Sequence, residues 1–366
     1  MRAIRIGMPE AELETPVLVV DIPTMERNLK RMMEILDGSK VKLRPHLKTA
    51  KSPALAWKMI DAGAVGICCA KLSEAEVMAN AGIRDILLTS EVAGFGKFER
   101  LVALARRLPE FKAVVDSEHA VRGINDVARE QGVTVNLMIE VDVNTRRSGV
   151  ASSGDALELA NLIRELECVE LVGLHGYAGH AQVRPADQRP GLNEPAMDVL
   201  KETIELLEEH NHELRYISGG GTGSVQLDVE AGVLNEVQAG SFLLMDTAYR
   251  DAGTPFENAL FCLSTVISRP EPGRAVCDAG LKTLSRDAGQ PEVIDPAGVT
   301  YLRGSDEHGN LEVDEDALEC ELKVGDVIRL IPSHVCTTIN LHDVMVGVRD
   351  GRVEAVWPIE ARGHVW

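Results

Sequence analysis

Aromatic residues are scarce in this chain, at 4%, too few for a surface that reads nucleic acid by stacking bases. Basic charge is short as well: 38 Lys and Arg against 57 Asp and Glu leave a net charge of −19 with histidine neutral. A nucleic acid or an anionic membrane needs a basic footprint, so neither is an expected partner. No apolar run approaches membrane-spanning length, and the opening MRAIRIGMPEAELETP lacks the apolar core of a secretory signal. CxxC pairs are missing too. The seven cysteines, at 68, 69, 168, 262, 277, 320 and 336, are odd in number and follow no disulfide-framework spacing, so a reducing cytoplasm is expected.

What is present is a repeated phrase. From about residue 15 to 225, a short apolar run, a turn and an amphipathic stretch follow one another. Eight runs stand out, at residues 16–21, 42–46, 66–70, 85–89, 112–116, 136–141, 170–174 and 215–218. Between them lie segments of helical periodicity such as Pro23–Leu36, Ser73–Asn80, Glu118–Glu130 and Asp155–Leu166. Eight βα units favour an α/β fold closed as a (β/α)8 barrel of TIM type. An open doubly wound sheet would carry its glycine-rich turn after the first strand, whereas here it follows the eighth run. Beyond about residue 255, strand-like runs at 260–267, 275–278, 299–302, 327–331, 344–348 and 353–357 are separated by turns such as Arg349-Asp-Gly-Arg352. The expected division of the 366 residues is a barrel over 15–254 and a smaller all-β domain over 255–366, which residues 1–14 join.

Residues capable of chemistry gather where the runs end. Arg44-Pro-His-Leu-Lys48 closes the second run, and on an extended chain Arg44, His46 and Lys48 share a face. That end of a barrel strand is where barrel active sites lie. An amine crowded by like charge is the nucleophile that Schiff-base chemistry needs, although the same residues also read as a solvated basic loop. Ser218-Gly-Gly-Gly-Thr-Gly223 follows the eighth run. Consecutive glycines let backbone N–H groups converge on an anion, and barrels hold phosphate in the loops after their last two strands. Lacking the lysine of a nucleotide P-loop, this stretch fits a cofactor phosphate or a plain turn. Ser333-His-Val-Cys-Thr-Thr338, read as the end of a β-run, puts His334 and Cys336 on one side. Imidazole with thiolate suits zinc, though two ligands do not complete a site and an isolated His-x-Cys reads equally as ordinary packing. Glu140-Val-Asp-Val-Asn-Thr-Arg-Arg-Ser-Gly149 and His175-Gly-Tyr-Ala-Gly-His180 end the sixth and seventh runs, and each also reads as a surface loop held by local ion pairs. Four of these five stretches fall at one end of the barrel, which points to a single pocket.

Together these phrases resemble the D-threonine aldolase and D-serine dehydratase family, whose barrel is similar to that of alanine racemase and binds pyridoxal phosphate. The resemblance runs from Thr15-Pro-Val-Leu-Val-Val-Asp21 to Val356-Trp-Pro-Ile-Glu-Ala-Arg-Gly363. It is most specific in Arg44-Pro-His-x-Lys48, Gly219-Gly-Gly-Thr-Gly223 and Gln238-Ala-Gly-Ser241. It implies that Lys48 forms the Schiff base with the cofactor. It also implies that Gly221, Thr222 and Gly223 hold the phosphate, with Gln238 and Ser241 among the cofactor-binding residues. Arg147 would touch the cofactor, and Tyr177 would lie at its ring or at the substrate. His334 matches a metal-binding histidine, for zinc, manganese or magnesium. At the second ligand, D-threonine aldolases show an aspartate, whereas Cys336 is like the His-x-Cys pair of D-serine dehydratases. Aldolases also carry a histidine just after the residue matching Gln182, where this chain has Val183; His180 or His175 could take its role.

The implied activity is a metal-assisted lyase on D-3-hydroxy amino acids. The first form is an aldolase releasing glycine and an aldehyde; the alternative is a D-serine or D-threo-3-hydroxyaspartate dehydratase releasing a keto acid and ammonia. An amino-acid racemase would have no evident use for the His-Cys pair. A non-catalytic pyridoxal-phosphate carrier would lack both that pair and a second β domain. The resemblance further implies a homodimer.

Overall fold

The structure, a computed structural model, describes residues 4–318 and 321–366, so Cys320 lies outside the described residues. The strands are β1 (Val17–Asp21), β2 (Lys42–Leu43), β3 (Ile67–Cys69), β4 (Ile86–Leu88), β5 (Lys112–Val115), β6 (Val135–Glu140), β7 (Val169–Gly176), β8 (Tyr216–Gly219) and β9 (Glu236–Val237). They continue as β10 (Leu260–Glu271), β11 (Arg274–Cys277), β12 (Glu292–Asp295), β13 (Val299–Gly304), β14 (Gly309–Val313), β15 (Val327–Ile331), β16 (Val344–Arg349) and β17 (Arg352–Pro358). Two compact units result. One takes Met32–Lys48, Ala56–Gly240 and His364–Trp366; the other takes the chain up to Arg31, Thr49–Leu55 and Ser241–Gly363.

The first unit is the expected barrel. Its eight strands are parallel in the order β2-β9-β8-β7-β6-β5-β4-β3. The two ends of that order meet through a parallel bridge between His46 and Cys68, with Leu47 N–H donating to Cys68 O and Cys68 N–H to Pro45 O. Helices bury the outer face of each strand and the packed barrel interior buries the inner one, which is why the runs read as unbroken apolar stretches. The helices Ser153–Glu165 and Glu118–Gln131 fall where periodicity put them, the first capped by Ser152 Oγ accepting from Asp155 N–H. Inside the barrel, Cys68, Leu87, Val114, Met138 and Val172 form an apolar layer.

The membership of the barrel differs from expectation at both ends of the count. The first run, β1, pairs antiparallel with β10 and parallel with β16 in the other unit. Val17 and Val19 pack there on Met8, Leu13, Leu263 and Val346. A strand with neighbours on both edges and cover on both faces looks the same in sequence whichever sheet it joins. The eighth barrel strand is instead β9, two residues long, too short to register as a run.

The second unit is built on a mixed sheet ordered β13-β14-β11-β10-β1-β16-β17, with β15 pairing β10 and β12 pairing β15. It reaches further back along the chain than residue 255, because β1 is one of its inner strands. Arg349-Asp-Gly-Arg352 turns β16 into β17 as its composition indicates. Among the described residues, no helix is long and apolar enough to cross a membrane.

Candidate active site

A cavity of about 110 Å³ opens at the carboxyl ends of the barrel strands. Its walls are His46 and Lys48 beyond β2, Ala70 beyond β3, Thr89 and Ser90 beyond β4, Arg147 beyond β6, His175 and Tyr177 at the end of β7, and Gln238 beyond β9. A larger groove of about 650 Å³ runs between Glu118–Gln131 and Ser153–Glu165, but its lining is acidic and aliphatic apart from Arg122 and Asn161. Size and chemistry do not coincide here, and the smaller cavity holds the chemistry.

Lys48 Nζ stands 5.2 Å from the centroid of the Tyr177 ring, and Arg147 Cζ stands 5.4 Å from the same centroid. One aromatic face thus draws two cations toward the cavity. His46 is held between Lys48 N–H, which donates to its Nδ1 at 3.3 Å, and Thr89 Oγ1, 3.0 Å from its Nε2. A backbone donor on Nδ1 places the ring proton on Nε2, so His46 is neutral. Burial, then the charges of Lys48, His175 and Arg147, lower its pKa well below the usual imidazole value.

His175 has the opposite character. Its Nδ1 meets Glu140 Oε2 and its Nε2 lies 3.1 Å from Gln238 Oε1. Gln238 Nε2 in turn donates to Ser218 Oγ at 2.9 Å, which leaves Oε1 as the face turned to the histidine. With an acceptor on each side, both ring nitrogens carry protons. Burial alone would lower the pKa of His175, but the Glu140 carboxylate outweighs it and holds the pKa above the ordinary imidazole value. Arg147 Nη2 donates to the other oxygen of Glu140 at 3.3 Å. His180 lies on the turn Gly179–Ala181, outside the cavity wall, its Nδ1 buried without a hydrogen-bond partner.

The shared face expected of Arg44, His46 and Lys48 does not form. Arg44 is only 1% exposed, donating to Glu236 at 2.7 and 2.8 Å and to Asp85 at 2.6 and 3.2 Å. Lys112 adds a 2.9 Å bond to Asp85 and stands over the Tyr216 ring. Asp85 precedes β4, and Lys112, Tyr216 and Glu236 open β5, β8 and β9, so this cluster closes the amino-terminal end of the barrel. The guanidinium turned away from the rim because two carboxylates stand at the other end, Glu236 and Asp85.

The glycine loop after β8 is more enclosed than a bare anion nest. Gly220 has φ +63° and lies against Asp228, and a Cβ at Gly223 would collide with the backbone carbonyl of Gln182. Gly223 N–H donates to Gln182 Oε1 at 3.0 Å, and Gly221 N–H to Ser224 Oγ at 3.2 Å. Ser224 Oγ donates to Asp228, whose pKa burial pushes up to about 7 against the bonds from Ser224 and Asn193. Thr222 is buried in the same loop.

In the other unit, the chain leaves β15 at Pro332 and turns into the short helix Val335–Ile339 rather than continuing as a strand. Asp246 Oδ2 accepts Val335 N–H at 2.8 Å and starts that turn. His334 precedes the helix and Cys336 sits in its first turn, which corrects their placement on a β-run. Cys336 Sγ lies 3.1 Å from the hydroxyl of Thr49, the residue after Lys48 in the chain, and 3.8 Å from that of Ser241. His334 Nδ1 is 2.5 Å from Asp287 Oδ2. Burial opposes charge on His334, but Cys336 and Asp287 outweigh it and lift the pKa to about 9. Among the described residues, no group of three or more His, Cys, Asp and Glu side chains is placed to hold a metal ion, so a metal on this pair would keep open positions.

Sequence reasoning passed over Thr89, Gln182, Asp228 and Asp287, and gave Glu140 no particular task. Glu140 alone carried a usable signal: it ends a barrel strand beside the strand bearing His175, and the two pair in register.

A family model of the alanine racemase N-terminal domain matches residues 20–248, and one of a putative serine dehydratase domain matches residues 259–348. A D-threonine aldolase of Arthrobacter sp is 40% identical over 98% of this chain and 95% of its own length. A 3-hydroxy-D-aspartate aldolase of Paracoccus denitrificans is 36% identical over 98% and 94%. The crystal structure of D-threonine aldolase from Filomicrobium marinum superposes with a TM-score of 0.95 at 38% identity, covering 99% of each chain. With a barrel and a mixed-sheet unit each matched, this chain belongs to the D-threonine aldolase and D-serine dehydratase family of pyridoxal-phosphate-dependent lyases.

Proposed function

We propose that this lyase cleaves the Cα–Cβ bond of D-3-hydroxy amino acids in the manner of a D-threonine aldolase, using pyridoxal phosphate and a divalent metal ion. The observation that carries the reading is the pairing of Lys48 and Arg147 on the Tyr177 ring, inside a cavity at the carboxyl rim of the barrel. The aldolases among its relatives, at 36 and 40% identity over nearly the whole chain, support it.

The residues present fit the cofactor at its aldehyde end, where an amine stands at a cationic cavity; in the glycine loop, Gly221 and Gly223 N–H would exchange Ser224 Oγ and Gln182 Oε1 for the phosphate. Lys48 would hold it, with Arg147, Tyr177 and Gln238 around the ring and Gly221, Thr222, Gly223 and Ser241 toward the phosphate. When bound, pyridoxal phosphate supplies an electron sink for charge developing at Cα. His175 serves as a fixed cation, because Glu140 and Gln238 occupy both of its nitrogens and leave no lone pair for a base. His180 is the imidazole proposed to take the β-hydroxyl proton in place of the histidine absent at Val183, a role that requires the Gly179–Ala181 turn to bring it to the cavity from outside the wall. His334 and Cys336 would hold the metal, which polarises a hydroxyl oxygen as a Lewis acid.

A second reading, the ammonia-releasing dehydratase, is favoured by the thiol at Cys336 and by the match of residues 259–348; Lys48 would there take the Cα proton. Incubation with D-threonine, D-serine and D-threo-3-hydroxyaspartate separates the two. Glycine and acetaldehyde from D-threonine are expected, abolished by a chelator and restored by metal. A keto acid with ammonia would replace the aldolase by the dehydratase, and full activity after exhaustive metal removal would overturn the metal role. A homodimer in solution is part of the proposal, and a fully active monomer by sedimentation would count against it.

A further inference from the structure

We propose that Asp287 is the positioning carboxylate of the metal centre, fixing the tautomer and orientation of His334 from the side away from the ion. This inference rests on the proposal that His334 and Cys336 bind a divalent metal. Asp287 Oδ2 lies 2.5 Å from His334 Nδ1, so that nitrogen carries its proton toward the carboxylate and the lone pair is left on Nε2. The carboxylate is itself held. Its Oδ1 accepts from Ser285 Oγ at 2.5 Å and from Thr337 Oγ1 at 2.8 Å, and Thr337 is the residue after Cys336. The segment carrying it is tied to the metal turn twice more, by Ser285 N–H on Thr338 Oγ1 at 3.2 Å and by Ser333 Oγ on Ser285 O at 3.2 Å. Asp287 thus braces the histidine directly and the cysteine through its neighbour. It is not a third donor, since these side chains do not converge on a common point. A ligating histidine whose second nitrogen is anchored on a carboxylate gains basicity and loses rotational freedom, and both raise metal affinity.

The test is a cobalt(II) titration of the metal-stripped, cofactor-loaded protein, followed by the visible ligand-field bands of the ion. Asp287→Ala should weaken cobalt binding by about 10- to 100-fold, with unchanged bands at saturation. Asp287→Asn, which keeps the hydrogen-bond geometry without the charge, should fall between wild type and Asp287→Ala. Thr337→Val, which loosens Asp287 without touching either ligand, should weaken binding several-fold and keeps the question open to measurement if the Asp287 variants do not fold. Wild-type affinity in Asp287→Ala would overturn the inference, as would altered saturated bands, which would make Asp287 a ligand. Failure of the underlying reading looks different: wild-type protein would bind no cobalt, or Cys336→Ser would leave its bands unmoved.

Discussion

The barrel carries two polar layers, one at each end of its strands, separated by the apolar layer of Cys68, Leu87, Val114, Met138 and Val172. At the amino-terminal end, Arg44 and Lys112 face Asp85 and Glu236, and each charge has an opposite partner within 2.9 Å. At the carboxyl end, Lys48 and Arg147 share an aromatic ring, His46 is neutral, and one carboxylate, Glu140, serves both His175 and Arg147. The first layer has its charges matched, with Arg44, Lys112 and Glu236 buried and Asp85 partly exposed at its edge. The second keeps positive charge in reserve toward a cavity, where a phosphate-bearing cofactor and a substrate carboxylate would complete it. A buried cluster that needs nothing more is structural, and one left incomplete is a binding site.

Four substitutions or titrations probe that contrast. The largest expected effect is on catalysis: Lys48→Ala should lower turnover by about 10²- to 10⁴-fold, while the unfolding free energy from urea denaturation changes by no more than about 0.5 kcal/mol. A comparable loss of stability would erase the distinction between the layers. Arg44→Met should do the reverse. It strands the buried carboxylate of Glu236 and leaves Asp85 to Lys112 alone, and should cost about 3–5 kcal/mol by denaturant unfolding, with the spectrum of the bound cofactor unaltered. Glu140→Gln should cost less, about 1–3 kcal/mol, because His175 can shed its proton when its partner is lost, whereas a guanidinium cannot; equal losses at Glu140 and Arg44 would contradict this.

The smallest effect is the dependence of thermal stability on pH. His175 has a raised folded pKa, so its contribution is fully present below about pH 6.5 and fades as pH rises through that higher value. His46 has a lowered one, so the unfolded chain takes up a proton the folded one refuses, and stability falls as pH drops below about 6.5. Burial works against the charge of Asp85, but Arg44 and Lys112 outweigh it and lower its pKa; its contribution is lost only as pH falls below about 3.8. Between pH 5 and 8 any slope from the barrel interior should therefore come from the carboxyl end, and His46→Asn should flatten its acid side. A slope unchanged in that variant would locate the titration elsewhere.

The alternation of runs and helices made the barrel legible, and the residues at the ends of the runs made its cavity legible at Lys48, Arg147 and Tyr177, whereas Gln238 entered only through the family resemblance. Arg44 was misread because alternation assigns a face without knowing which partners stand on it; Glu236, 192 residues away, decided the matter. His334 and Cys336 were read as one side of a β-run, but they stand at the start of a helix whose first N–H is held by Asp246, a contact across 89 residues. Asp287 left no trace, since an acid in a Ser-Arg-Asp turn is ordinary until the fold lays it against a histidine. Local pattern reports what a segment can do, and distant partners decide which of those things it does.

The position of β1 bears on how the protein is made. Its partners are Leu260–Leu263 on β10 and Val346–Val348 on β16, so during synthesis this apolar strand must wait for more than two hundred residues to emerge before either edge can be covered. The whole barrel is translated in that interval and can fold first. An exposed strand held open that long is where a nascent chain would stick to its neighbours, so in a cell the yield of this protein should depend on Val17–Asp21 being shielded until the final strands arrive.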